Sequence, residues 1–166
     1  MKYYFILNPD SGRMDKGKIE KNIRTACLKR EIPYEIMYTQ KEGDAKSLAN
    51  KIPDEECVVF SVGGDGTLND VLNGVMESEH KVLGNIPTGS GNDFEKTLKK
   101  HTTGIVTIDV GRINHRFFVN VACLGLDADV AENLKHVRHR KWIPVSQRYN
   151  ASLVYTYFKY QFKKLK

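Results

Sequence analysis

The chain has 166 residues, of which 40% are hydrophobic and 28% are charged, a composition typical of one soluble globular domain with room for part of a second. It has no signal peptide and no apolar run near the roughly 20 residues that span a bilayer, so we expect a cytoplasmic protein. The three cysteines are far apart and the five histidines lack metal-ligand spacing, which predicts buried thiols and argues against a zinc site.

The net charge of +6 comes from the C-terminal segment. Residues 135–166 contain many Lys and Arg residues but no Asp or Glu, and the rest of the chain has more acidic than basic residues. This asymmetry predicts an anionic partner for one region and not for the whole protein.

The N-terminal part of the chain alternates short apolar runs with amphipathic stretches. The runs at residues 3–7, 34–38, 58–62 and 82–86 are bounded by turn-forming residues and predict four strands. Apolar residues at helical spacing predict helices at 16–30, at 67–76 and from a capping Asp44 to about residue 52. Since parallel strands need crossover connections, this order predicts an α/β fold with a parallel sheet covered by helices.

The pattern changes after residue 103. Residues 105–110 and 116–121 are predicted to form the two strands of a β-hairpin, and a basic segment with a helix from about Ser152 follows. We therefore expect an α/β nucleotide-binding domain at 1–103 and the beginning of a β-rich second domain at 104–166.

Three polar loops follow the first, third and fourth predicted strands. They are residues 8–12 (Asn-Pro-Asp-Ser-Gly), 63–67 (Gly-Gly-Asp-Gly-Thr) and 87–94 (Pro-Thr-Gly-Ser-Gly-Asn-Asp-Phe). The carboxyl ends of parallel strands share one edge of a sheet, and ligands bind there. Glycine-rich turns that lead into helices present successive N–H groups to anions, so the loops together predict a polyphosphate site. Taken singly, each loop is also explained as a tight turn, with Asp65 or the Asn92-Asp93 pair capping the next helix.

Asp65 is an unexpected residue in a phosphate site, because like charges repel. A carboxylate in this turn is explained if Mg²⁺ links it to the phosphates, or if it takes part in proton transfer.

Two other nucleotide-binding motifs do not fit the sequence. Residues 12–18 match G-x-x-x-x-G-K, the start of a P-loop, but Ile19 occupies the position of the Ser or Thr that binds Mg²⁺. A Rossmann fingerprint that starts at Gly64 fails at Asn69, where the motif has a third glycine.

The order of these loops resembles the diacylglycerol kinase catalytic domain, a lipid kinase family that includes sphingosine and ceramide kinases. The resemblance rests on Asn8-Pro9-Asp10-Ser11-Gly12, Gly63-Gly64-Asp65-Gly66-Thr67 with Leu68-Asn69-Asp70, and Gly89-Ser90-Gly91-Asn92-Asp93-Phe94. Asp109-Val110-Gly111 and Phe118-Val119-Asn120 are similar to later family elements, so the likeness runs from residue 3 to about 130. The sequence departs from the family at Ser90, at Glu95-Lys96 and in the short segment between residues 94 and 109.

The resemblance implies a fold of the NAD kinase or phosphofructokinase type, with ATP and Mg²⁺ as cofactors in a cleft between two domains. It implies that Asp65 is catalytic near the transferred phosphate, and that Asp93 and Asp109 belong to the Mg²⁺–water network. The expected ATP contacts are Asn8, Pro9, Asp10, Ser11, Gly12, Thr39, Gly63, Gly64, Asp65, Gly66, Thr67, Leu68, Asn69, Asp70, Ser90 and Asn92. Such residues suit phosphoryl transfer, in which a protein mainly positions groups and neutralises charge.

Family members are longer than this chain, and their second domain supplies the general base that deprotonates the lipid hydroxyl. We therefore expect a fragment of a lipid kinase that transfers the ATP γ-phosphoryl group to a lipid hydroxyl at a membrane surface. Two alternatives stay open: a nucleotide-binding module without turnover, and an NAD kinase-like small-molecule kinase. The loops at 8–12 and 91–94 argue against the second.

The C-terminal tail, residues 155–166, interleaves aromatic residues with lysines. Val154, Phe158, Phe162 and Leu165 fall at helical spacing and predict an amphipathic basic helix. Such a helix either packs on the rest of the second domain or lies on anionic lipid, at the inner face of the membrane. No nucleic-acid-binding motif is present, so the expected partners are ATP and a lipid, with a homodimer left open.

Overall fold

The structure is a computed structural model that describes residues 1–11, 15–89, 92–98, 104–123, 125–138, 140, 143–144 and 147–160. The chain divides into two compact units, Met1–Asn120 and Val121–Lys166. The first unit contains the sheet with its helices and a β-hairpin, and the second contains a pair of helices. Within the described ranges, no helix has the length and apolar character needed to cross a membrane.

The first unit is built on a four-stranded parallel sheet, which confirms the predicted fold class. The strands are β1 (Lys2–Leu7), β2 (Tyr34–Tyr38), β3 (Cys57–Gly63) and β4 (Lys81–Pro87), in the order β2-β1-β3-β4. The helices between them are α1 (Lys16–Lys29), α2 (Asp44–Lys51) and α3 (Asp65–Val75), and α4 (Asp93–Leu98) follows β4. Because β1, β3 and β4 are neighbours and parallel, the loops that follow them meet at one edge.

The two faces of the sheet pack on different helices. One face packs on α2 and α3 through a cluster that includes Tyr4, Ile6, Ala45, Ala49, Cys57, Val59, Val71 and Val75. The other packs on α1 through Phe5, Leu7, Ile19, Ile23, Cys27 and Val62. A slip of one residue would exchange the side chains of the two faces, so this packing fixes the register and with it the position of each loop.

The contact between α2 and α3 depends on Gly74. A Cβ atom at this position would lie 2.5 Å from the Cβ of Ala49 and 2.7 Å from the carbonyl oxygen of Lys46. Since the second contact is with backbone, a side chain at residue 74 requires the two helices to separate.

The start of α2 differs from the prediction. Gly43, in a left-handed conformation with φ of 85°, is the N-cap, and Asp44 is the first helical residue. The Asp44 carboxylate instead accepts hydrogen bonds from the N–H groups of Gln40 and Lys41, in the loop before the helix.

The hairpin is shorter than predicted. Its strands are β5 (Gly111–Ile113) and β6 (Arg116–Phe118), joined through Asn114, whose φ is +53°. The Phe118 ring lies over Gly111, where a Cβ atom would come within 2.3 Å of it, so Gly111 fixes the pairing further along the chain than expected. Residues 105–110 have no regular secondary structure and pair with no described strand, so the prediction of a strand there is wrong.

Exposure of the cysteines also differs from the prediction in one case. Cys27 and Cys57 are buried, and burial raises the pKa of both thiols. Cys123 is exposed, because it follows the hairpin in an irregular segment outside the core.

The second unit consists of α5 (Leu126–Arg138) and α6 (Arg148–Lys159). The sequence did not predict α5, and α6 begins before the expected Ser152. The hydroxyls of Ser152 and Thr156 face α5: Ser152 Oγ donates to the Val130 carbonyl at 2.7 Å, and Thr156 Oγ1 accepts from Asn133 Nδ2 at 3.0 Å.

The apolar side chains of α6 are largely exposed, with Val154 at 57% and Phe158 at 82%. The expected Phe162 and Leu165 lie outside the described residues. Both interpretations of the tail therefore remain predictions, as does the division of the chain after residue 103.

Substitution Gly74→Ala tests the contact between α2 and α3. We expect a net loss of about 1–3 kcal/mol in the free energy of unfolding, because the new methyl group overlaps the α2 backbone. Denaturant unfolding measures the loss. Gly17→Ala is the matched control, since a Cβ at Gly17 meets only Asp15 Oδ1 at an ordinary 3.4 Å. Equal stability of the two variants would contradict the close helix contact.

Candidate phosphate-binding site

The loops after β1, β3 and β4 are joined by hydrogen bonds. The N–H of Asn8 donates to the Val62 carbonyl at 3.0 Å, and the N–H of Thr88 donates to the Gly63 carbonyl at 2.8 Å. Two side-chain contacts add to these: the hydroxyls of Ser11 and Thr88 lie 2.9 Å apart, and Asn8 Nδ2 donates to Thr67 Oγ1 at 3.1 Å. The structure thus brings the three polar loops together, as the sheet order requires.

Gly64 and Gly89 bring the second and third loops into backbone contact. A Cβ atom on Gly89 would lie 2.6 Å from the Gly64 Cα, and one on Gly64 would lie 3.4 Å from the Gly89 Cα. Only glycine allows two backbones to approach so closely. The pair leaves backbone without side-chain cover beside the start of α3, which is the arrangement that phosphate binding requires.

The N-terminus of α3 is an uncapped set of hydrogen-bond donors. Its N-cap, Gly64, has no side chain to cap the helix, and the Leu68 N–H donates to the Gly64 carbonyl at 3.0 Å. The N–H groups of the preceding residues of this first turn, 65–67, have no intrahelical acceptor. Together with the helix dipole of this 11-residue helix, they favour an anion at this end.

Asp65 connects the second loop to α4. Its Oδ2 accepts from the Asp93 N–H at 3.3 Å, and its Oδ1 accepts from the Phe94 N–H at 3.4 Å. The carboxylate is therefore directed to the N-terminus of the following helix and does not cap α3, which excludes the ordinary N-cap interpretation. Both bonds are long, so the carboxylate retains capacity for another positive or donor group.

Two amide oxygens near these loops have no partner. Asn69 Oδ1 and Asn92 Oδ1 are buried and accept no hydrogen bond from any described residue, although Asn92 Nδ2 donates to the Gly89 carbonyl at 2.7 Å. Asn92 also has a left-handed backbone, with φ of +53°. Buried acceptors are normally satisfied, so these two oxygens are consistent with a ligand donor or cation at residues expected to bind nucleotide.

The two carboxylates expected at Mg²⁺ lie near α4. Asp93 is exposed and forms an ion pair with Lys96 at 2.7 Å. Asp109 lines a cavity of about 590 Å³ together with Phe94, Leu98 and Val106, so it faces the same space as the helix that Asp65 contacts. Among the described residues, no three His, Cys, Asp or Glu side chains are grouped for a metal ion. Mg²⁺ usually takes one or two carboxylates together with substrate phosphates, and the carboxylates of Asp65, Asp93 and Asp109 are ligands of that type.

Other expected contact residues occupy varied positions. Thr39 is buried at the end of β2, where its N–H donates to the Leu7 carbonyl at 3.0 Å, and Asp10 donates its N–H to Asn8 Oδ1 at 2.9 Å. Pro9 lies in the same turn, and Gly66 is exposed at the start of α3. Leu68 is 1% exposed, so its side chain belongs to the core and not to a ligand surface. Gly12 and Ser90 lie outside the described residues.

Asp70 is partly buried on α3. Burial raises the pKa of its carboxyl, and the attraction of Arg116 in the hairpin opposes that shift. Its other charged neighbours are Glu42 and Lys46, from the segment around the start of α2.

Sequence reasoning missed two residues that the geometry singles out. Thr88 joins the first and third loops through its contact with Ser11. It directly follows an apolar strand, and a hydroxyl at the end of such a strand is a signal that could have identified it. Asn73 is buried among apolar residues of α3, and a polar residue in such a stretch signals a required partner.

The chain matches a known family over most of its length. The model of the family described as diacylglycerol kinase catalytic domain matches residues 2–145. A protein named diacylglycerol kinase from Staphylococcus aureus is 35% identical over 139 residues, which cover 72% of this chain and 42% of that protein. A diacylglycerol kinase from Staphylococcus haemolyticus is 34% identical over the same length, 72% of this chain and 40% of its own.

Part of the chain also matches a solved structure. A crystal structure of a diacylglycerol kinase from Bacillus anthracis has 31% identity and a TM-score of 0.47, with 59% of this chain and 36% of that chain covered. The matched part of this chain therefore spans less than half the length of each of these three relatives.

Substitution Gly89→Ala tests the contact between the loops. We expect the Cβ to displace one loop and to weaken binding of ADP, the product of the ATP predicted from the sequence, by about 10- to 100-fold. Calorimetric titration measures the affinity, and circular dichroism verifies the fold. Gly17→Ala serves again as the control. Unchanged ADP affinity in a folded Gly89→Ala variant would contradict a role of this contact in binding.

Substitution Asp70→Asn tests the effect of burial on this carboxyl. Because the native state binds the proton more tightly, the parent loses stability as pH rises from the unfolded pKa of about 3.9 through the raised native value. We therefore compare the melting temperature of Asp70→Asn with that of the parent at two pH values. The variant minus parent difference should be more positive at about pH 7 than at about pH 3. A smaller difference at neutral pH would show that attraction by Arg116 outweighs burial.

Proposed function

The chain belongs to the diacylglycerol kinase catalytic domain family, and we propose that it forms the nucleotide-binding part of a kinase that phosphorylates a lipid hydroxyl. One observation carries the proposal: the backbone contact of Gly64 with Gly89 lies beside the uncapped N-terminus of α3. Glycine backbone and free N–H groups at a helix start bind phosphates without the aid of basic side chains.

We propose that the polyphosphate of ATP lies along the edge where the three loops meet. The N–H groups of residues 65–67 would donate to phosphate oxygens, and the hydroxyls of Ser11 and Thr88 lie on the adjoining loops. Thr39 and Asn8 follow the neighbouring strands β2 and β1, on the side away from α4, where the nucleoside would extend. Mg²⁺, bound through Asp65 and Asp93 or Asp109, would neutralise charge on the phosphates.

The reaction transfers a phosphoryl group. A bond forms between the lipid hydroxyl oxygen and the γ-phosphorus, and the bond from that phosphorus to the bridging oxygen of ADP breaks. The hydroxyl proton passes to a general base, which we assign to the part of the longer relatives that the matched segment does not include. In this chain, Asp65 would hold the N-terminus of α4 against the loop at residues 63–67, and so orient the side of the site that faces the lipid hydroxyl.

A nucleotide-binding module without turnover is the second candidate. The matched segment covers 42% of the Staphylococcus aureus relative, and the N–H groups at the start of α3 can bind phosphate whether or not turnover follows. Titration with ATP and product analysis on diacylglycerol vesicles separate the two functions. Phosphate transfer to NAD but not to vesicles would instead establish the NAD kinase-like alternative.

Substitution Asp65→Asn tests the carboxylate. We expect it to preserve the fold and to lower phosphoryl transfer to diacylglycerol by at least about 100-fold, since it removes a charge beside the transferred group. Where the chain binds without turnover, the Mg²⁺-dependent part of ADP binding should fall instead.

Glu56→Gln is the matched control, because it also removes one negative charge, from an exposed residue. Activity and Mg²⁺ dependence that survive in Asp65→Asn would refute the role of Asp65. Failure of the parent chain to bind ATP or ADP in the presence of Mg²⁺ would refute the nucleotide site itself.

A further inference from the structure

We propose that Asn73 is a positioning residue that fixes the β5–β6 hairpin, and with it Asp109, relative to the phosphate loop. The inference rests on the proposed function, since it gives Asn73 a part in the Mg²⁺-dependent binding of nucleotide. The Asn73 side chain forms hydrogen bonds with Asn69, on the same helix, and with Phe117, in β6 of the hairpin. Its effect on the site would therefore be transmitted by the hairpin.

The Asn73 amide binds the hairpin as a neighbouring strand would. Its Nδ2 donates to the Phe117 carbonyl at 2.7 Å, and its Oδ1 accepts from the Phe117 N–H at 2.9 Å. Strands at the edge of a sheet have backbone groups without partners, and here one side chain satisfies both groups of one residue. The Nδ2 also donates to the Asn69 carbonyl at 2.8 Å, which fixes the orientation of the amide on α3.

Burial makes this contact specific. Asn73 is 8% exposed and Phe117 is partly buried, so loss of the amide would remove the partner of both Phe117 backbone groups where bulk water has only limited access. One turn earlier on the same helix, Asp70 lies close enough to Arg116 for that charge to affect its pKa. Helix α3 therefore contacts β6 through the Asn73 amide, and the charge of Arg116 acts on Asp70 without a recorded ion pair.

The hairpin transmits this position to Asp109. Strand β5 begins at Gly111, so Asp109 is two residues from a strand whose register is fixed by the Phe118 ring on Gly111. Arg112 supports the same turn, because its Nε donates to the Asn114 carbonyl at 2.8 Å and its guanidinium lies over the Phe117 ring. A shift of Phe117 would therefore move the wall of the cavity that contains Asp109.

Helix α3 is the other end of the connection. It begins at Asp65, whose carboxylate contacts α4, and it includes Asn73 two turns later. Since an α-helix of this length is rigid, the distance from Asp65 to the hairpin is set by the helix and by one amide. The carboxylates proposed for Mg²⁺ thus depend on Asn73 for their separation.

The test measures how strongly Mg²⁺ improves ADP binding, in the parent chain and in Asn73→Ala, Asn73→Asp and Asp109→Asn. For the parent we expect about a 10-fold improvement, a usual size for coupled binding. The Asn73 variants should reduce the improvement to about 1- to 2-fold while ADP affinity in EDTA stays within about 2-fold of the parent. Asn22→Ala, at an exposed position on α1, is the control and should match the parent.

A double-mutant cycle separates positioning from general destabilisation. If Asn73 acts through Asp109, the variant with both Asn73→Asp and Asp109→Asn should lose no more of the Mg²⁺ effect than Asp109→Asn alone. Independent, additive losses would overturn the proposal. So would a Mg²⁺ effect of parental size in a folded Asn73→Asp, which keeps the size and the Oδ1 acceptor of Asn73 but loses its donor to the Phe117 and Asn69 carbonyls.

Hydrogen exchange provides a readout that does not need nucleotide. The Phe117 N–H should exchange slowly in the parent, and at least about 10-fold faster in Asn73→Ala, with β1 and β3 unchanged. Equal exchange at Phe117 in the two proteins would overturn the proposal. If the parent fails to bind ADP but this local change is observed, the proposed function is wrong and the structural link from Asn73 to the hairpin stands.

Discussion

The backbones of Gly64 and Gly89 approach until a methyl group on Gly89 would lie 2.6 Å from the Gly64 Cα, and the other loop contacts depend on that approach. Beside it, the Thr88 N–H donates to the Gly63 carbonyl, which continues the β3–β4 pairing, and the Thr88 hydroxyl lies 2.9 Å from that of Ser11. The contact also places α4 where the Asp65 carboxylate meets its first N–H groups. At this contact the N–H groups at the start of α3, the hydroxyls of Ser11 and Thr88 and the Asp65 carboxylate come together from three loops.

The sheet and the meeting of its loops were predictable from the sequence because each rests on local chemistry. Short apolar runs alternate with amphipathic stretches, and parallel strands must be joined by crossover connections such as helices. The order of elements therefore predicts the sheet edge at which the polar loops lie. Glycines after β3 and β4 indicated close backbone approach, and the structure shows it at Gly64 and Gly89. What the pattern alone did not give is the partner of Asp65, because the N-terminus of α4 comes from a different loop.

The region after residue 103 was harder to predict, since its contacts are between distant segments. The run of β-branched residues from Ile105 to Ile108 favours a strand, but a strand needs a partner, and among the described residues none pairs there. Helix α5 has Leu126, Val130, Leu134 and Val137 at helical spacing, so its signal was present in the sequence although the prediction missed it. The role of Asn73 could not be predicted from local sequence, because its partner Phe117 lies 44 residues away in the chain.

The contact between α5 and α6 has a thermodynamic consequence. Its inner surface includes the hydroxyls of Ser152 and Thr156, whereas Tyr157 and Phe158 of α6 are 69% and 82% exposed in the folded chain. The buried apolar residues described in this unit are Val130, Val137 and Ile143, so its unfolding uncovers less apolar surface than unfolding of the sheet, and apolar exposure is what gives unfolding its large heat-capacity change. The stability of the second unit should accordingly vary less steeply with temperature and with denaturant concentration than that of the sheet, whose core is apolar on both faces.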